Sequence, residues 1–520
     1  MSRRRLSVSQ GITRGSAILG LEQVVSGGLG TVFLLLCVRQ VGSTDFGLWS
    51  IAYAAASVAT IATTSLHVTL ERFLPEYLEQ RDARRARWLV RQVLMVKVAL
   101  GVLAAGGLAA AAPVIAASFD RPELTVLIRL LALWLAADSV ASFGRSLLLG
   151  LQEFPTRLAC TTLQGLVNVA TGLAAVMTGG GIVFISWGFV VSTVVAGVPQ
   201  VLLGYRLLLA ETRDWRTAEL PDGEPSPWWR VLRYGLPLTA GGALFQLYLS
   251  TAKLALGFLV GPQATGVFSL ASGILEKVTG LSGSATSAFL PSFSRLVARS
   301  DLPSLRRYSL PVFRFSVLMA ALTTVFLFTF AREVTAGLGG AEFAEAATVL
   351  QILSLQAMLR IPALSLSSIL YALEAASTGL LISVAKLAAE FVLYASLIPL
   401  MAERGAALSQ VLSYGLALVA LWWVLRRRLG LDARDYGRSL LWASLLAAPL
   451  LATAALVDQQ SPSLVVGLLL KASLACAVAT ILAAPVVLRR RLSLRAIATE
   501  GLVGWPFRSL SALDVEAEAR

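Results

Sequence analysis

The sequence predicts an all-α polytopic membrane protein of about fourteen transmembrane helices, built as two parallel six-helix repeats plus two C-terminal helices. Three observations predict it. Of the 520 residues, 56% are hydrophobic and 14% charged, which is more apolar surface than a water-soluble fold can bury. The apolar residues gather in separate runs, each close to the 20 or so residues that cross a hydrocarbon core. Short stretches of sequence then recur at a spacing near 219 residues.

The runs follow one another in order. The first, 14–38, comes after "MSRRR"; it is too long for a signal peptide and ends without a small-residue cleavage site, so it is a retained span. Runs 44–66, 92–116, 124–150, 157–178 and 182–208 complete an N-terminal half, 1–208. The stretch "LERFLPEYLEQRDARRARW" (70–88) reads as a polar interruption within it, and 209–233 as a polar connector. Runs 234–259, 264–290, 310–330, 345–372, 377–399 and 404–425 form a second half, 234–425. Two further helices, 436–456 and 462–488, lie within 436–488, followed by a tail, 489–520. No soluble domain fits between them.

Charge orients the spans. The formal net charge of +14 invites a nucleic-acid reading, but the basic residues fall on alternate loops, as positive-inside topology requires. Arg3–Arg5, the cluster from Arg81 to Arg91, Arg306, Arg307, Arg426–Arg428 and Arg489–Arg491 share one side; Arg39, Arg121, Arg332 and Arg404 are on the other. Both termini are therefore expected in the cytoplasm, with anionic lipid headgroups rather than nucleic acid as the counter-charge. Cys37, Cys160 and Cys476 sit singly in apolar runs and offer neither a disulfide framework nor metal spacing. His67 is the only histidine, which excludes His-based metal sites, and it is expected at a helix end.

The repeat is visible in "VGSTDFGLWSIA" (41–52) and "VGPQATGVFSLA" (260–271), identical at five of twelve positions. "FLP" follows each, at 73–75 and 289–291, and "SLLLGLQ" (146–152) is echoed by "SSILYALE" (367–374). Matches in register argue for duplication. Parallel repeats related by an axis along the membrane normal are a transporter architecture, with the substrate site between the halves near mid-membrane.

Residues 41–77, with "DFGLW" and "RFLPE", and the twelve-plus-two helix count resemble the bacterial polysaccharide-exporter, or lipid-linked oligosaccharide flippase, family. That family is part of the multidrug/oligosaccharidyl-lipid/polysaccharide exporter superfamily. The resemblance implies alternating-access transfer of an undecaprenyl-pyrophosphate-linked glycan across the bacterial inner membrane, for surface polysaccharide synthesis. A lipid II flippase and an ion-coupled drug antiporter are alternatives within the superfamily, and a membrane glycan polymerase is one outside it. Membrane lipids, a glycan polymerase and glycosyltransferases are the expected partners. No phosphate loop or dinucleotide fingerprint occurs; a non-enzymatic transporter without cofactor or metal is expected.

Charges inside the spans mark candidate sites, because an ionisable group at mid-bilayer needs a cavity or a partner. Glu22, Asp138, Glu276, Lys277, Arg360, Lys386, Glu390 and Lys471 are deep; Lys97 and Lys253 lie nearer span ends, within snorkelling reach. Lys386 and Glu390, four apart, share a helix face. Asp138 and Arg360 occupy matching repeat positions and are a candidate pair. For an anionic substrate head, Arg360 is the first choice of contact because its fork matches phosphate oxygens; Lys277 and Lys253 follow. Glu22, Glu276 and Asp138 are the candidates for ion coupling, since a buried carboxylate readily takes a proton.

Overall fold

In this computed structural model the chain folds as the apolar runs predict, with helices and no strand among the described residues. The structure describes residues 8–63, 67–213, 227–287, 301–373 and 375–460, with isolated positions between them. The predicted span 462–488, with Lys471, and the tail lie outside the described residues.

Helix α1 (Val8–Ala59) takes in the first two predicted spans, which part at Gly42 (φ 74°, ψ 179°). Then come α2 (Val68–Glu79), α3 (Ala83–Ser118), α4 (Leu124–Gly150), α5 (Phe154–Thr178), α6 (Gly181–Glu211), α7 (Pro227–Leu259) and α8 (Pro262–Ser287). The second half continues with α9 (Leu302–Thr329), the short α10 (Ala331–Gly339), α11 (Ala344–Ala372), α12 (Ala376–Leu429) and α13 (Ala433–Gln460). Each predicted span up to 436–456 thus overlaps a described helix.

One element departs from expectation. The polar stretch from 70 is not a loop: α2 buries Leu70, Phe73, Leu74 and Tyr77, an i, i+3, i+4, i+7 stripe, and turns Arg72 outward, paired at 3.1 Å with Glu76. Average polarity concealed a strongly one-sided helix. The next start is signalled locally, because Asp82 caps α3 by accepting from the Arg85 backbone N–H at 2.8 Å.

The helices group into two compact units, Arg14–Ser269 and the chain from Leu270 onward together with the first residues, so the division falls inside α8. In the first unit α4 is central and packs against α2, α3, α5 and α6. Small residues set the closeness: a Cβ at Gly144 would meet Gln200 Cβ at 2.7 Å, and one at Gly197 would meet Ala141 Cβ at 2.7 Å. In lipid such backbone approach, not water exclusion, holds helices together. Trp49, Tyr53, Trp134 and Phe189 form an aromatic cluster beside this core, with ring centroids 5.1 to 5.9 Å apart.

In the second unit α11 is central, between α9 and α12. Helix α13 docks on α9 through a Ser309–Tyr436 hydroxyl hydrogen bond of 2.7 Å and a Phe313–Tyr436 ring contact at 4.8 Å. The long α12 joins two predicted spans across a break at Ala402 (φ 48°, ψ −128°) and ends on Arg426, Arg427 and Arg428, cations that suit a helix C-terminus. Large apolar side chains stay exposed on the outer faces, among them Leu103, Val114, Met177, Leu381, Val392 and Leu400. Such surface belongs against lipid. Nine helical segments among the described residues are long and apolar enough to cross a membrane, and the chain is a multi-pass membrane protein.

Candidate functional site

The second unit gathers the deep charges of α8, α11 and α12 around one ring. Arg360 on α11 spends both guanidinium arms on Glu276 of α8, donating Nη1 to Oε1 at 2.5 Å and Nη2 to Oε2 at 2.9 Å. The Arg360 side chain is 10% exposed and that of Glu276 31%, so the carboxylate is the open end of the pair. Tyr414 of α12 has the Arg360 guanidinium 5.9 Å and the Lys386 ammonium 4.1 Å from its ring centroid, within cation–π range. Lys386 donates to Glu390 Oε1 at 2.7 Å, and the Ser413 hydroxyl donates to the same oxygen at 2.7 Å. Glu390 is fully buried, and its Oε2 has no hydrogen bond. Two ion pairs are thus strung on one aromatic ring.

The chemistry follows from this layout. A planar guanidinium that meets a carboxylate with two parallel bonds presents the same fork to two phosphate oxygens. Because Glu276 is partly open while Arg360 is not, an anion reaching the fork must displace Glu276. The second pair, Lys386–Glu390, is held on one helix by its i, i+4 spacing, with its ammonium over the Tyr414 ring.

The first unit holds three further charge groups. Glu22 is 7% exposed; its Oε1 accepts from Arg157 Nε at 3.2 Å and from the Thr161 hydroxyl at 3.1 Å, while Oε2 has no partner. Asp138 accepts from Arg145 at 2.9 Å, seven residues along the same helix. Lys97 stands with Nζ 2.8 Å from His67 Nδ1. His67 does sit at a helix end, at the start of α2.

Two expectations are corrected here. The candidate pair Asp138–Arg360 gives way to two others: Asp138 pairs with Arg145 and Arg360 with Glu276. Lys97 does not snorkel: it is 1% exposed, enclosed by the helices that pack on α3. Of the two further cations predicted for the substrate head, Lys277 is exposed beside Glu276 on α8, about 100° round the helix, and is not part of the Tyr414 network. Lys253 is half-buried on α7 in the first unit. Sequence reasoning missed Tyr414, Arg145 and Arg157. Both arginines stand inside apolar runs and were detectable as span cations; nothing about Tyr414 distinguished it from other aromatic residues. Among the described residues no cluster of His, Cys, Asp or Glu could hold a metal ion.

Comparison with known proteins agrees with this architecture. The family described as "Polysaccharide biosynthesis protein" matches residues 12–297. No curated protein matches the chain. Among solved structures, the fold is similar to a lipid II flippase, MurJ, in an inward closed conformation (TM-score 0.62, 12% identity, 91% of this chain and 100% of that one). It is also similar to a multidrug resistance MATE family transporter of the MOP superfamily in its inward-facing conformation (TM-score 0.60, 17% identity, 80% and 98%). An outward-facing MATE family transporter aligns with TM-score 0.54 at 17% identity over 82% and 97% of the two chains.

Proposed function

We propose that this chain, which belongs to the polysaccharide biosynthesis protein family, is a flippase for a lipid-linked oligosaccharide. It moves an undecaprenyl-pyrophosphate-linked glycan from the inner to the outer leaflet of the bacterial inner membrane by alternating access. The observation that carries this reading is the Glu276–Arg360 fork. Arg360 lies sixteen residues, or about 24 Å, along α11 from Ala344, too deep for easy escape to either surface. It is held in the bidentate geometry that a pyrophosphate oxygen pair would adopt. Glu276 keeps the guanidinium neutralised when no substrate is present and yields when the anionic head arrives. The polyprenyl tail stays in lipid against the exposed apolar faces, so only the polar head needs a protected path. The chain transports and does not transform its substrate, and the two six-helix halves read from the repeat supply the alternating access.

A strain lacking the protein tests this directly. Its lipid-linked glycan is expected to accumulate on the cytoplasmic leaflet, and its surface polymer to disappear. Normal surface polysaccharide with loss of drug resistance alone would instead identify a drug antiporter.

The proposed topology has a separate test. Both termini are placed in the cytoplasm and the two turn copies outside. Thr44 and Gln263 are exposed within those turns, so Thr44→Cys and Gln263→Cys should react with an impermeant maleimide in intact cells. Ser7→Cys should react only in opened cells. Labelling of Ser7→Cys from outside would reverse the orientation.

A further inference from the structure

Helix α13 does not seat flush on its neighbours. Between it and α9, α11 and α12 lies a cavity of about 240 Å³ lined by Phe313, Leu366, Val419, Trp422, Gly437 and Leu440. Val419 is 63% exposed, and the neighbouring Trp423, Leu441 and Trp442 are exposed as well. The cavity is therefore an apolar groove on a face that belongs against lipid, not a pocket in the interior. It is also separate from the charge network. Leu366 comes six residues after Arg360, about 9 Å along α11 and about 120° round it.

One end of the groove is strongly basic. The start of α9, the end of α12 and the start of α13 carry Arg306, Arg307, Arg314, Arg426–Arg428, Arg434 and Arg438. Asp301, Asp432 and Asp435 are the carboxylates set against them. Contacts place three of the arginines at the groove. Arg314 reaches from α9 to α13, with Nε 3.4 Å from the Ser439 hydroxyl, between Gly437 and Leu440. The Arg426 guanidinium lies 5.4 Å from the ring centroid of Trp422. Arg306 Nη1 lies 3.4 Å from where a Cβ on Gly430 would stand, at the end of α12. Arg306, Arg314 and Asp435 are also close enough to Tyr436 to act on its hydroxyl electrostatically. All three arginines are exposed and make no ion pair among the described residues. Trp422 and Val419 lie about 6 and 10 Å from Arg426 along α12, so an apolar floor begins one helical turn from the cations.

We propose that this groove binds an anionic phospholipid of the cytoplasmic leaflet. One acyl chain lies in the apolar floor, and the phosphate sits among Arg306, Arg314 and Arg426. The proposed topology puts this end of the helices in the cytoplasm, on the side where anionic lipids attract clustered arginines. A zwitterionic lipid offers the same chain without the net charge. The bound lipid joins α13 to α9 and α12, adding to the Ser309–Tyr436 contact. It is a ligand and not cargo, so the proposal stands whatever glycan the chain carries.

The test follows lipid contact rather than transport, so its failure and that of the flippase reading are told apart. Full-length protein is reconstituted into phosphatidylcholine vesicles containing a trace of phosphatidylglycerol with a diazirine in one acyl chain. A second set carries the same diazirine chain on phosphatidylcholine. After irradiation, labelled peptides are mapped. Labelling of 413–426 and 433–442 by the phosphatidylglycerol probe should exceed that by the phosphatidylcholine probe at least about tenfold. Arg306→Gln, Arg314→Gln and Arg426→Gln combined should bring the two probes within about twofold of each other. Gly437→Leu, at a position with nothing within 4 Å of an added Cβ, fills the groove and should cut phosphatidylglycerol labelling about tenfold. Gly106→Leu on α3, equally open, should leave it unchanged. The proposal is overturned if both probes label the parent groove alike, or if Gly437→Leu leaves labelling intact. It is also overturned if neither probe labels the groove, the result expected if residues 462–488 of this chain fill it. Undecaprenyl phosphate displacing the probe at lower concentration than unlabelled phosphatidylglycerol would overturn it too, by assigning the groove to the tail of the transported lipid.

Discussion

Arg360→Ala is expected to abolish transport, with a loss of a hundredfold or more for the two charged hydrogen bonds it removes, at roughly 1.5–3 kcal/mol each. Membrane abundance should change little, because Glu276 is 31% exposed at its side chain and can hydrate once alone. Arg360→Lys should retain part of the activity, since the charge stays while the fork is lost. The decisive variant is the double replacement Glu276→Gln with Arg360→Gln, which keeps side chains of similar size and removes both charges. If Arg360 binds the anionic head, this protein is abundant and inactive. If the pair merely joins α8 to α11, the double variant transports normally while each single one is destabilised. Surface polymer restored in the deletion strain, set against immunoblotted abundance, separates these outcomes.

The second large effect belongs to the first unit and is one of stability. Arg157→Leu leaves Glu22 without its cation, and Glu22 already has one oxygen with no partner. Removing one member of a buried pair costs about 3–5 kcal/mol, enough to strip most of the protein from the membrane. Glu22→Gln added to Arg157→Leu should restore abundance, because an amide needs no counter-charge. Transport in that double variant then reports on ion coupling at Glu22: normal transport would remove Glu22 from the coupling set. Asp138→Asn should be far milder, because both members of its pair remain about one-quarter exposed.

The helical segments were legible because each states itself locally. An apolar run of the right length is a span wherever it packs, and basic residues mark the intervening loops without reference to any partner. The exception, α2, was hidden by averaging: its polar and apolar residues are interleaved at helical spacing, and only the period reveals the buried stripe. The Lys386–Glu390 pair was legible for the same reason as the spans, since residues four apart on one helix meet whatever lies around them. The partners of Asp138 and Arg360 were not. Matching repeat positions made them a candidate pair, whereas Asp138 pairs with Arg145 on its own helix and Arg360 with Glu276 on α8.

By itself the sequence determined a multi-pass helical chain and the position of its glycine turns, because both depend on short-range chemistry and a fixed rise per residue. Only the tertiary structure decided which charges became partners, that the Tyr414 ring is within cation–π reach of both Arg360 and Lys386, and that the two turn copies touch at Gly47 and Gly266. Those outcomes depend on distances between helices far apart along the chain. A side chain's distant partner is set by how closely backbones can approach, which no residue encodes alone.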